Sequence, residues 1–165
     1  MGDTGRGTGR DKEAMMEPGT TTMAATGPQP GELIPDFFGR AADGRTVYRR
    51  EYKGRRHLVL CFIDPSSQPD ALLHELAIRH PAFRATGAEI VVFCRDIPPG
   101  VATPYPILAD TAGQMHERYG VTTSPLVIAA DRYGEVVLRR PFNDPSAALD
   151  EALAAIEWMQ TRCSL

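Results

Sequence analysis

The chain has 165 residues, of which 24% are charged and 42% hydrophobic, with a net charge of −3. That is the size and balance of one globular domain with a sizeable core, and the slight acidic excess excludes a protein built to neutralise nucleic-acid phosphates. Three cysteines, Cys61, Cys94 and Cys163, make no disulfide framework and point to a reducing, cytoplasmic setting, and no run approaches the roughly 18–20 apolar residues of a membrane span.

Residues 1–31 are rich in Gly, Thr, Met, Ala and Pro without apolar periodicity, and read as a disordered tail without a secretory apolar core. Gly2 to Gly9 lacks a Lys-Ser/Thr ending and follows no strand, so it is not a phosphate loop. Residues 32–165 read as a single domain. Pro35–Phe38 and Thr46–Tyr48 flank an Asp43-Gly44 turn and predict a hairpin. Leu58–Ile63 is a continuous apolar run, the mark of a strand buried on both faces. A helix follows from Pro69, where a missing N–H costs nothing. Pro81 is expected to break or kink it, and Gly87 to close it.

Glu89–Cys94 is a second buried strand, expected beside Leu58–Ile63 and parallel to it. The Pro-rich stretch Pro98–Pro106 is irregular. Ile107–Ala109 reads as a short strand, with Asp110 or Thr111 capping a helix that Gly120 closes. Leu126–Ala130 and Glu135–Leu138 flank a turn at Asp131–Gly134. A last helix starts near Pro145 with Leu149, Ala152, Leu153, Ile156 and Met159 on one stripe. The fold class is α/β: a central mixed sheet of about four to five strands with helices on both faces.

The junction Ser67-Gln68-Pro69-Asp70 lies between the first buried strand and the first helix. A helix N-terminus carries unpaired N–H groups and partial positive charge, which would activate a cysteine thiolate there. Ser67 and Asp70 supply no thiol, and Asp70 suits the spot as a helix-stabilising anion.

In order along the chain, Gly31-Glu-Leu-Ile-Pro-Asp-Phe37, Asp43-Gly44-Arg-Thr-Val, Tyr52-Lys-Gly54, Tyr105-Pro-Ile-Leu-Ala-Asp110, Tyr119-Gly-Val121, Thr123-Ser124-Pro125 and Asp131-Arg-Tyr-Gly-Glu-Val-Val137 resemble the thioredoxin-fold alkyl hydroperoxide reductase/thiol-specific antioxidant (peroxiredoxin-like) group. The resemblance covers about residues 32 to 160. It implies a thiol oxidoreductase or peroxidase scaffold with antioxidant activity. The family's peroxidatic cysteine would fall at Ser67 or Leu72, and its activating arginine near Ser124 or Pro125, so both groups are replaced here. It also implies a cis-proline at Pro125, with Ser124 presenting backbone groups to an extended peptide or protein segment.

The remaining candidates are weaker. His57, His74, His80 and His116 show no metal-ligand spacing, and neither metal nor cofactor is expected. His74 lies two helical turns from Ser67, too far to serve it as a base. Cys61 reads as inert core and Cys163 as incidental. Cys94 ends a strand next to Arg95, where thioredoxin-like chemistry gathers, and is the candidate for a relocated nucleophile. The clusters Arg49-Arg50, Lys53–Arg56 and Arg139-Arg140 read as solvated surface. Two functions follow: a redox-inactive binding or scaffolding module, or an oxidoreductase working through Cys94.

Overall fold

The computed structural model describes residues 27–63, 69–122 and 125–163. Its centre is built by the two apolar runs. Strand β3 (His57–Ile63) and strand β4 (Ala88–Cys94) are buried along their whole length and pair in parallel, with Leu60 opposite Val91 and Ile63 opposite Cys94. Successive side chains of a strand point to opposite faces. Val59, Cys61, Ile63, Ile90, Val92 and Cys94 therefore enter one core, and Leu58, Leu60, Phe62, Val91 and Phe93 the other.

The other strands extend this pair on both sides. They are β1 (Phe38–Ala41), β2 (Thr46–Tyr48), β5 (Ile107–Ala109), β6 (Leu126–Ala130) and β7 (Val136–Pro141). The order across the sheet is β2-β1-β5-β4-β3-β6-β7. Seven strands replace the expected four or five because the β1–β2 hairpin joins the sheet through β5, where Arg40 faces Ala109 and Ala41 faces Leu108. That pairing joins residues far apart in sequence, and no local pattern announces it.

Helix α1 (Pro69–Ala85) and helix α3 (Pro145–Cys163) cover the first face, where Leu72, Leu76, Phe83, Leu149 and Ile156 are buried. The short helix α2 (Gln114–Arg118) covers the second, with Phe37, Met115 and Tyr119 packed on Phe62 and Phe93. Pro81 lies inside α1 and does not break it. A proline inside a helix costs about 3 kcal/mol. Burial of Leu76 before it and Phe83 after it returns about 1.5–3 kcal/mol each and holds both halves on the sheet. Gly87 closes the helix at φ +80°, as its sequence position suggested.

Residues 27–31, read from the sequence as tail, bond to the domain. The Gly31 N–H donates to the Val136 carbonyl, and the Pro28 carbonyl accepts from the Arg139 guanidinium, which also donates to the Tyr119 and Gly120 carbonyls. Residues 27–31 thus pack against the domain. Arg139 acts as a clamp rather than as solvated surface. Arg49 is also drawn in, reaching the Tyr133 carbonyl and Asp36.

Glycine is required at one point of this segment. Gly27 adopts φ +66°, and a Cβ there would lie 2.0 Å from the Tyr119 oxygen. Gly31, at φ +91°, has open space where its Cβ would be. Gly31→Ala should therefore cost only the left-handed backbone penalty, about 1–2 kcal/mol. Gly27→Ala should cost clearly more, because the segment must also lift from Tyr119. Urea midpoints of the two variants decide this, and equal losses would mean that Gly27 does not pack as described.

Candidate functional site

Pairing register gathers one row of residues at the carboxyl end of the sheet. Ile63 closes β3 opposite Cys94, and Cys94 lies opposite Ala109. On the other flank Phe62 pairs with Leu126, which sets the preceding Pro125 beside Ile63. Pro69 and Asp70 open α1, with Asp70 exposed in its first turn. Ser67, Gln68 and Ser124 lie outside the described residues. The structure thus brings Pro125 to the end of β3, five residues of chain away from the start of α1.

Cys94 has the position expected of it but a poor environment for a nucleophile. It is only 3% exposed, and burial pushes its thiol up to about 12. The same burial, together with the charge of Cys94, pushes Cys61 up to about 12. Arg95, in the bend just after β4, offers no relief to Cys94, whose shift is caused by burial. The Arg95 guanidinium lies over Gly113, where an added Cβ would come within 2.8 Å of it. Nor are Cys61 and Cys94 a ready disulfide. The register makes them diagonal neighbours, on the order of 7–8 Å apart at Cα, beyond the span a bridge accepts.

The second face holds a polar pair that the sequence pattern did not single out. Asp110 follows β5 and its carboxylate accepts the N–H groups of Met115 and His116 at 3.0 and 2.9 Å. It also accepts the His116 ring through Nδ1 at 2.6 Å. Asp110 was expected as a cap, and it does cap α2. The ring contact was hidden because six residues is not a helical spacing. Burial pushes the Asp110 carboxyl up, but the ring and backbone hydrogen bonds, with the charge on His116, bring it below its usual value. The His116 ring stands edge-on to Phe62 at 5.4 Å, with its side chain 4% exposed and Nε2 without a hydrogen-bond partner. The pair therefore braces α2 against the end of β3.

Of the other histidines, His74 is exposed, His80 bonds Glu89 at 2.9 Å and His57 bonds Gln160 at 2.9 Å. Among the described residues no group of three His, Cys, Asp or Glu side chains could hold a metal ion. No helix among them is long and apolar enough to cross a membrane.

A parallel β3–β4 pair, an antiparallel β6–β7 hairpin and a proline before β6 form a recognisable arrangement. The fold is thioredoxin-like. It superposes on the reduced 2-Cys peroxiredoxin of Plasmodium vivax with a TM-score of 0.69 at 18% identity, covering 82% of this chain and 83% of that one. The peroxidoxin BcpB of Mycobacterium tuberculosis gives 0.69 at 18%, covering 78% and 96%. A protein named as a thiol:disulfide interchange protein DsbE from Chlorobium tepidum gives 0.62 at 24%, covering 78% and 99%. No family model matches the chain, and no curated protein does. At such identities the likeness establishes the fold.

Asp110 also gives the site a pH signature. A carboxyl held below its usual pKa stabilises the fold above the unfolded value, and that contribution is lost as pH falls through the folded value. Asp110→Asn should therefore lower stability by about 1–3 kcal/mol at pH 7. The gap to wild type should narrow below about pH 4, where the unfolded carboxyl is itself protonated. Urea midpoints of both proteins from pH 7 to pH 2 check this, and a gap independent of pH would contradict the ionised brace.

Proposed function

We propose that this chain is a thioredoxin-fold binding module that holds an extended protein segment beside Pro125 and works without thiol turnover. One observation carries the reading. The helix start that would activate a thiolate opens with Pro69-Asp70, while Cys61 and Cys94 lie in the sheet with thiols pushed up to about 12. A thiol with that value is almost wholly protonated near neutral pH, and the protonated form neither attacks disulfides nor reduces peroxides. The place of Pro125 at the carboxyl end of β3 favours a partner in extended conformation. β6 begins directly after Pro125, and a chain laid along that end could pair through its backbone, with side-chain fit supplying selectivity.

The second reading is an oxidoreductase working through Cys94. Its support is the placement of Cys94 beside Ile63, in the same row of strand ends as Pro125. The two readings separate in one set of assays. Wild type should show neither insulin reduction nor peroxide consumption, and Cys94→Ser should behave identically. Ser67→Cys with Asp70→Cys should gain disulfide reductase activity, because the field at the helix start belongs to the backbone. In the folded protein Cys61 and Cys94 should resist a thiol reporter up to about pH 9 and react once urea is added. Turnover in the wild type that disappears in Cys94→Ser would overturn the first reading in favour of the second.

A further inference from the structure

Two turns stand side by side beyond the end of the sheet that lies opposite Cys94 and Pro125. The turn 52–56 leads into His57 at the start of β3, and the turn 131–134 follows Ala130, which ends β6 across from Leu58. The Gly54 N–H donates to the Arg132 carbonyl at 2.7 Å and fixes one turn on the other. The first turn is tight, because the N–H groups of Arg55 and Arg56 both close onto the Tyr52 carbonyl. Lys53, Arg55, Arg56 and Arg132 are thereby gathered on adjacent turns, and Tyr133 stands beside them, 61% exposed.

Among the described residues none of these four cations has an ion-pair partner, because the carboxylates of this region are engaged elsewhere. Glu51 pairs with Arg45, Asp36 with Arg49, and Glu89 with Arg84 and His80. Asp131 accepts the N–H groups of Tyr133 and Glu135 within its own turn, and Glu135 is exposed just past it. The Arg132 guanidinium lies over the Tyr133 ring at 5.8 Å, and its buried Nε finds no acceptor. Four like charges on two bonded turns repel one another, and an anionic surface placed against them removes that cost.

We propose that this end of the sheet docks on the anionic surface of a lipid bilayer. Three features favour that partner. The first is shape. β3 and β6 are paired on both sides, so the turns beyond them offer a polypeptide no open strand edge to extend. A charged plane needs only the tips of the turns. The second is Tyr133, whose amphipathic ring suits the headgroup level of a bilayer. The third is the distribution of charge. Without these four, the chain's 18 cations become 14 against 21 anions. A nucleic acid wrapping the domain would meet that acidic excess. A bilayer touched by one end meets little of it, because β3 alone spans about 23 Å and salt screens charges beyond about 10 Å. Clusters of about four to eight Lys and Arg side chains hold proteins on anionic leaflets. Docking in this way leaves the Pro125 end facing away from the bilayer.

Sedimentation of the full-length chain with lipid vesicles tests this. Vesicles of phosphatidylcholine with about a third phosphatidylserine should bind it at least about tenfold more tightly than phosphatidylcholine alone, and raising salt from about 0.1 M to about 0.5 M should release it. Each cation at such a surface strengthens binding about fivefold, so Lys53→Glu with Arg55→Glu should weaken it about 25-fold or more. Both side chains are exposed, and an unchanged urea midpoint confirms the fold. Arg40→Glu with Arg140→Glu makes the same change in net charge at exposed positions opposite Ala109 and Val127, toward the other end of the sheet. That variant should lose no more than about threefold. Equal binding to the two kinds of vesicle would overturn the proposal, and so would equal losses in the two double variants. Capture of the chain by soluble polyglutamate without binding to the anionic vesicles would overturn it as well, and would assign the turns to an acidic protein segment.

Discussion

β3 and β4 are buried on both faces over seven residues each, and most of the other elements are placed by the need to cover them. A strand that shows no polar face cannot sit at a rim or beneath a single layer. One face receives α1 and α3. The other receives Phe37, Met115 and Tyr119, carried by the entry segment and α2. The flanking strands then follow from pairing. β5 and β6 satisfy the open backbone of the central pair, and β1 and β7 satisfy theirs in turn.

The same arrangement explains why the strand cysteines are poor candidates for chemistry. A thiol inside a doubly covered strand gains packing and loses access to water, so its ionised form becomes costly. The backbone at the start of α1 offers the opposite environment, and there the chain places a proline and an aspartate. Activating field and thiol are separated within one molecule. The Asp110–His116 pair adds a rigid support below this end of the sheet, because it ties the first turn of α2 to a carboxylate just after β5.

Much of the architecture is readable from residue order. Leu58–Ile63 and Glu89–Cys94 announce themselves as unbroken apolar runs, and their parallel pairing follows from the helix between them. Gly87 and the turn at Asp43-Gly44 mark their own positions through left-handed backbone. What escapes is whatever depends on distant partners. Pro81 looks like a breaker until Leu76 and Phe83 are seen to be buried on either side of it. Arg139 looks like surface charge until three carbonyls converge on it. His116 shows no ligand spacing because its partner lies six residues back, across a turn. Of the site, the place of Cys94 at a strand end was legible from its apolar run and Pro125 only through the resemblance, whereas the burial of the thiol depends on the helices packed above it.

The two rims of the sheet also govern how the chain behaves when crowded. An open strand edge is a template on which another molecule can add a strand, the first step toward aggregation. β2 offers only three residues, and Arg49 and Arg50 follow it directly. β7 is longer, but Gly31 and Glu32 already pair with Val136 at its start, its register against β6 slips at Ala129/Ala130, and it ends in Arg139, Arg140 and Pro141. A slipped, twisted edge with cations and a terminal proline pairs poorly with a copy of itself. Arg139, which holds Pro28 on the folded domain, thus also discourages intermolecular sheet growth during refolding at high concentration.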